Sequence, residues 1–119
     1  MKPEELKART KEFGLRVIRL VTSLPRGLVT DVIAKQLLRA GTSVGANYRA
    51  ACRARSRRDF VAKMGIVEEE ADESLYWMEM LAEAGFVKLH KVAPLMQEAS
   101  ELTAVAVASI TTARRRAVR

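Results

Sequence analysis

The chain has 119 residues, of which 49% are apolar, 29% are charged and only three are proline. This length and composition predict one folded domain over residues 1–119 and exclude a disordered chain. No apolar run reaches the roughly 20 residues that a transmembrane helix needs, and the N-terminus lacks the apolar core of a signal peptide. We therefore expect a cytoplasmic protein with no membrane partner. The single cysteine, Cys52, cannot form an internal disulfide, which agrees with a reducing compartment.

The net charge of +7 is unevenly distributed along the chain. Residues 35–63 carry eight basic side chains and one acidic side chain, whereas residues 64–84 carry seven acidic side chains and no basic one. Either these two blocks pair within or between subunits, or the basic block binds a polyanion. The acidic block is too small to neutralise the remaining basic groups, and this surplus favours a polyanion.

The first helix is predicted over residues 4–24. Pro3 suits a first helical turn, and Glu4 and Glu5 suit the positive end of the helix dipole. Pro25 and Gly27 are expected to end the helix, since neither continues a helix well.

The second helix, predicted over residues 29–54 with Thr30 or Asp31 as its N-cap, carries two opposed stripes. Spacings that alternate between four and three residues predict a buried side, which we call the apolar seam: Ile33, Leu37, Ala40, Val44, Asn47 and Ala51. The same spacing, offset by half a turn, predicts an exposed basic stripe: Lys35, Arg39, Thr42, Ala46, Arg49 and Arg53. Three further arginines, the basic corner, extend the charge beyond the helix: Arg55, Arg57 and Arg58. We expect the cations of the stripe and the corner to bind nucleic acid.

Parts of the second helix also have structural interpretations. The small residues at 41–46, GTSVGA, predict close packing against another helix, because no strand precedes them as in a phosphate-binding loop. Asn47 lies on the apolar seam and is interpreted as a structural residue that ties down neighbouring backbone. Arg39 can pair with a carboxylate of the next helix, such as Glu69 or Glu73, and such a pair would remove it from the binding surface.

The third helix is predicted over residues 57–84. Ser56 and Asp59 have the spacing of a capping box, and Gly85 suits the left-handed conformation that ends a helix. A further outer apolar set lies away from the buried side of this helix: Ile66, Tyr76, Trp77 and Met80. These side chains predict an interface between subunits of a homo-oligomer, and the alternative is that they contact neighbouring helices within one bundle.

The last helix is predicted over residues 92–115, with Pro94 in its first turn. It ends in a run of cations, which the helix dipole favours and which can add to affinity for a polyanion: Arg114, Arg115, Arg116 and Arg119. Four amphipathic helices with short connections and no strand pattern predict an all-α, antiparallel up-and-down four-helix bundle.

The run QLLRAGTSVGANYRAACRARSRRDF, followed by an acidic helix that ends in LAEAGFV, resembles the bacterial four helix bundle protein family. That family includes the intervening-sequence proteins of 23S ribosomal RNA genes and the accessory variability determinant of diversity-generating retroelements. The most specific elements are Gln36-Leu37, Arg39-Ala40, Ser43, Asn47, Arg55-Ser56 and Asp59-Phe60. One departure is Ala50-Ala51, where many members have an acidic residue and a glycine.

The resemblance implies a ring-shaped homopentamer suited to binding nucleic acid or a nucleoprotein partner, such as a reverse transcriptase or a ribosome-associated protein. An enzyme is not expected, because His90 is the only histidine, lies in a predicted connection and has no glutamate three residues before it. No catalytic residue, metal ligand or cofactor is therefore predicted, and Cys52 is interpreted as inert packing.

Two function classes remain. The first is a basic oligomer that binds the phosphates of RNA or DNA with little reading of bases; Tyr48 is the one aromatic ring of the basic segment and is better explained by packing. The second is an oligomeric adaptor that recognises an acidic protein partner. A steep dependence of affinity on salt concentration would distinguish the first from the second.

Overall fold

The structure is a computed structural model that describes residues 1–117. These residues form α1 (Pro3–Ser23), α2 (Leu28–Cys52), α3 (Arg57–Glu83) and α4 (Leu89–Ala117), and no strand occurs among them. The rod-like domain measures 52 × 21 × 21 Å. Each helix packs along the next one in the chain, while α1 touches α4 over a smaller area. The predicted all-α four-helix bundle is confirmed; Arg119 lies outside the described residues.

The helix boundaries agree with the predicted ones to within two residues except at the start of α4. That helix begins at Leu89, so His90 lies in its first turn and Pro94 in its second. The turn before Pro94 is held by the Lys88 carbonyl oxygen, which accepts from the Lys91 amide at 3.0 Å. A proline is tolerated there because it removes only one hydrogen bond near the helix end.

The predicted cap of α2 is wrong. The helix begins at Leu28 with Gly27 as N-cap. Thr30 is buried inside the first turn, and Asp31 instead accepts hydrogen bonds from the Arg26 guanidinium at 3.1 and 3.2 Å. The predicted end of α3 is confirmed, since Gly85 follows it with φ +86°.

Small residues bring α1 and α2 close together, as the segment 41–46 predicts. A methyl group added at Gly45 would lie 3.2 Å from the backbone carbon and oxygen of Thr10, and one at Gly14 would lie 3.6 Å from the Gly41 oxygen. The glycines therefore set the spacing of the two helices, because no side chain separates the two backbones.

The two stripes of α2 face opposite directions, as predicted. All six residues of the basic stripe are exposed, and five of the six residues of the apolar seam are buried. Asn47 is the exception: it is half-buried and its side-chain amide donates to the Ser43 oxygen of its own helix at 2.8 Å. Tyr48 is buried in the position expected for it, with 6% of its surface exposed, and burial raises the pKa of its hydroxyl. Its interpretation as a packing residue is confirmed.

Candidate nucleic-acid interface

The candidate interface is the outward side of the C-terminal half of α2. This helix packs against both α1 and α3, so its far side forms an exposed ridge between two grooves. The side chains on the ridge are mostly small, among them Thr42, Ala46 and Ala50, with Arg49 and Arg53 projecting between them. The ridge therefore combines an accessible helix surface with fixed positive charge.

The basic corner lies where the chain turns from α2 into α3, with Arg55 in the connection and Arg57 and Arg58 in the first turn of α3. Arg53 is the C-cap of α2, and its amide donates to the Ala50 oxygen at 3.0 Å. Ser56 then caps α3, since its hydroxyl accepts from the Asp59 amide at 3.0 Å. The Asp59 carboxylate accepts from the Arg55 amide at 3.4 Å, not from the Ser56 amide as a capping box requires. Only the forward half of the predicted box is therefore present.

Five of the seven predicted nucleic-acid-binding residues are free cations at this end of α2. Within residues 1–117, no carboxylate lies within ion-pair distance of any member of this set: Arg49, Arg53, Arg55, Arg57 and Arg58. All five residues are exposed. The acidic α3 block does not neutralise them.

Arg39 does not belong to this free set. It pairs with Glu70 at 3.1 Å and with Glu73, both on α3. The expected pairing with Glu73 is confirmed, whereas Glu70 takes the place proposed for Glu69. The hydrogen bond from Arg39 holds the pKa of Glu73 below its ordinary value. Arg39 is thus an interhelical contact and is not available to a ligand in this arrangement.

Lys35 is exposed but lies far from the arginines. It precedes Arg49, the nearest of the five free arginines in sequence, by 14 positions in one continuous helix, which corresponds to about 21 Å along the axis. The basic stripe is consequently not one continuous surface. Its free charge is concentrated at the C-terminal half of α2 and in the basic corner.

The α2–α3 groove is lined by several of these cations. It has a volume of about 690 Å³ and contains Arg49, Arg53, Arg55 and Lys63 together with one carboxylate, Asp59. Lys63 donates to Asp59 at 2.6 and 2.8 Å. The three arginines form no ion pair among the described residues, although, after the hydrogen bond from Lys63, the charge of Arg55 also acts on Asp59 and helps to lower its pKa.

The α1–α2 groove lies on the other side of the ridge. It has a volume of about 560 Å³, and Lys7, Lys11 and Arg49 line it at the end of the bundle where α1 begins. Glu4 also lines it and accepts from Lys7 at 3.3 Å. Sequence reasoning missed both lysines and also Lys63. Their spacings of four residues from Lys7 to Lys11 and from Asp59 to Lys63 place each pair on one helix side, but nothing local shows that these sides border α2.

The antiparallel topology also brings the end of α4 to the basic corner. A cleft of about 920 Å³ is bordered by Arg116 of α4, by Ala54 and Ser56 of the corner, and by Lys7 of α1. Cys52 lines this cleft and is exposed, so its interpretation as a packing residue is wrong. Arg116 thus adds charge to the same end of the molecule.

The outer apolar set of α3 divides into two parts. Ile66, Tyr76 and Met80 expose 40%, 52% and 38% of their surface. Trp77 differs, because it is half-buried against the core and its indole N–H donates to Glu73 at 3.1 Å. Trp77 therefore fits the alternative interpretation, in which the side chain packs within its own bundle. The other three side chains remain available to a partner.

The described residues contain no group of three or more His, Cys, Asp or Glu side chains arranged to hold a metal ion. None of the helices in that part of the chain combines the length and the apolar character needed to cross a membrane. Among the described residues, the surface feature that points to a ligand is the positive charge at the C-terminal end of α2.

The family model of the 23S rRNA-intervening sequence protein matches residues 4–108. A solved structure with the same fold is a protein of unknown function from the S23 ribosomal protein family of Bacteroides thetaiotaomicron. It has a TM-score of 0.82 and 33% sequence identity, and the match covers 93% of this chain and 99% of that chain. No curated protein matches this chain, and neither of the two descriptions names an enzymatic activity. Since the family match spans α1, α2, α3 and most of α4, this chain belongs to the 23S rRNA-intervening sequence protein family.

Proposed function

We propose that this protein is a non-enzymatic, basic bundle that binds the phosphate backbone of nucleic acid. The observation that carries the proposal is a set of five exposed arginines, from Arg49 to Arg58, on one end of a rigid helical rod, none of which forms an ion pair within residues 1–117. Arginine suits this role because its planar guanidinium donates two parallel hydrogen bonds to a phosphate.

The proposed binding is electrostatic and tolerant of sequence. Each phosphate that an arginine neutralises releases condensed counterions, so affinity falls steeply as salt concentration rises. The ridge of α2 carries mainly alanine and threonine between its arginines, and these side chains offer few donors or acceptors for reading base edges.

We further propose that the protein acts as a homo-oligomer. The exposed side chains of Ile66, Tyr76 and Met80 supply an apolar surface on α3 for contact between subunits. A pentameric ring, which the family resemblance implies, would repeat the basic ends around one axis and strengthen binding by multivalency. The matching family model is named for 23S rRNA, and the similar solved structure is of the S23 ribosomal protein family. Both names support a ribosome-associated or other nucleoprotein partner.

The test is a titration of affinity against salt concentration for generic RNA and duplex DNA. The variant carrying Arg49→Ala, Arg53→Ala and Arg57→Ala should bind more weakly. The slope of its log affinity against log salt concentration should become less steep by about 0.9 for each phosphate of B-form DNA that the variant no longer neutralises. The matched control carries Lys35→Ala, Lys88→Ala and Lys91→Ala, which remove the same charge from the opposite end. Absence of binding at low salt would overturn the proposal and favour an adaptor for an acidic protein.

A further inference from the structure

We propose that the nucleic acid is a B-form double helix that straddles α2, with the C-terminal half of this helix in the major groove and the two strands in the grooves beside it. The juxtaposition that carries this inference is a small-residue ridge flanked on each side by cations from a different helix. The inference rests on the proposed function and adds the class of nucleic acid and its orientation.

The ridge has the shape that such a complex needs. A helix with its side chains is about 10–12 Å across, and the major groove of B-form DNA is about 12 Å wide. Thr42 and Ala46 are small and exposed on the outward side of α2, Ala50 beside them is half-buried, and the long side chains that project between them are those of Arg49 and Arg53. The major groove of an A-form RNA helix is deep and narrow, so it does not admit this ridge.

The two cation rows are placed to contact opposite strands. Lys7 and Lys11 of α1 line the groove on one side of α2, while Arg55 and Lys63 line the groove on the other. Arg49 lines both grooves, so it stands between the two rows. A single strand can occupy only one of these grooves at a time, whereas a duplex brings phosphates to both.

The carboxylates that line the two grooves do not neutralise all of the cations there. Glu4 bonds Lys7 at 3.3 Å on the exposed side of α1, while Lys11 forms no ion pair within the described part of the chain. Asp59 bonds Lys63, and Arg55 remains without an ion pair among the same residues. Each groove therefore keeps at least one free cation besides Arg49, which is the minimum that contact with two strands requires.

The experiment compares duplex DNA, single-stranded DNA and duplex RNA of equal length and at one low salt concentration, using fluorescence anisotropy with the full chain. We expect duplex DNA to bind at least about tenfold more tightly than the other two. The variant with Lys7→Ala and Lys11→Ala should lose several-fold in affinity for duplex DNA and keep its affinity for the single strand. The variant with Lys88→Ala and Lys91→Ala is the matched control, which removes two exposed lysines at the start of α4 and should change neither affinity.

A second variant tests the ridge itself. Ala46 is exposed on α2, so Ala46→Tyr adds bulk without filling the core, and circular dichroism verifies its fold. It should weaken binding of duplex DNA several-fold and spare the single strand. Three outcomes would each overturn the straddling arrangement while leaving phosphate binding intact. They are equal affinity for duplex and single-stranded DNA, equal affinity for duplex DNA and duplex RNA, and equal losses on both DNA forms in the Lys7 and Lys11 variant. Failure of every nucleic acid to bind would overturn the proposed function as well.

Discussion

Val17 of α1 lies directly over Gly41 of α2. A methyl group added at Gly41 would lie 2.7 and 2.8 Å from the two γ-carbons of Val17 and 3.0 Å from its β-carbon. Val17 is fully buried and cannot move away without displacing its neighbours. We expect Gly41→Ala to destabilise the protein by about 1–3 kcal/mol, the usual cost of overpacking, in spite of the better helix propensity of alanine. Urea denaturation followed by circular dichroism measures this change.

Gly65 is the matched control, because it is also a glycine inside a helix and a methyl group added there would meet nothing within 4 Å. Gly65→Ala should stabilise the protein by about 0.5–1 kcal/mol through helix propensity alone. If Gly41→Ala were as stable as Gly65→Ala, the close approach of α1 and α2 would be wrong.

The ion pair between Arg39 and Glu73 should make stability depend on pH. The pKa of Glu73 is lowered, first by the hydrogen bond from Arg39 and also by that from Trp77. The pair therefore stabilises the fold fully above the ordinary glutamate pKa of about 4.3, and this contribution is lost as the pH falls through the lower pKa of the folded state. Arg39→Gln should lower the melting temperature at pH 7, and the difference from the natural protein should narrow below about pH 4. Arg49→Gln, which removes a cation of the same helix that forms no ion pair with the described part of the chain, should show no such narrowing.

Arg9 joins α1 to α4, which form the smallest of the four contacts between neighbouring helices. Its guanidinium donates to both carboxylate oxygens of Glu98, at 2.8 and 2.6 Å, and to Glu101 at 3.0 Å. The side chains of Arg9 and Glu98 are only 26% and 16% exposed, and the hydrogen bond to Glu98 raises the pKa of Arg9. A double-mutant cycle with Arg9→Met and Glu98→Met should give a coupling free energy of about 1–2 kcal/mol, between the values for exposed and buried pairs. A coupling energy near zero would show that packing alone joins the two helices.

The hydroxyl of Ser56 should contribute measurably to stability. It satisfies the amide of Asp59 at the start of α3, and loss of such a cap costs about 1 kcal/mol. We therefore expect Ser56→Ala to reduce the free energy of unfolding by about this amount. Ser100→Ala, an exposed position within α4, should be neutral or slightly stabilising. Equal effects of the two substitutions would argue against the cap.

The apolar surface of α3 predicts the assembly state. Light scattering should give the natural chain a molar mass that is a multiple of its 13.2 kDa. Tyr76→Asp should reduce that mass to the monomer, because it places a charge in the proposed subunit contact. Ser100→Asp is the control, since Ser100 is an exposed polar residue of α4 outside the outer apolar set. A natural chain that is monomeric at micromolar concentration would contradict the proposed assembly.

The periodicity of α2 was sufficient to predict which side is buried and which is exposed. Ile33, Leu37 and Val44 are buried, and Arg49 and Arg53 are exposed, because the helical repeat places residues three and four apart on the same side. The positions of Gly41 and Gly45 were also interpretable, since glycines inside a helix allow a neighbouring backbone to come close. Asn47 and Tyr48 were harder to assign, because adjacent residues at the border of a buried stripe differ by only about 100° in direction.

The amino-acid sequence by itself determined the four helices, their buried sides and the surplus of positive charge, because these depend on the local repeat and on composition. Only the tertiary structure decided which charges are free and which lie together. It joined Arg39 to Glu70 and Glu73, separated Lys35 from the arginines, and brought Lys7, Lys11 and Lys63 to the two sides of α2. The reason is physical: a helical repeat defines directions around one axis, whereas contacts between helices depend on how far each rod slides and rotates against the next.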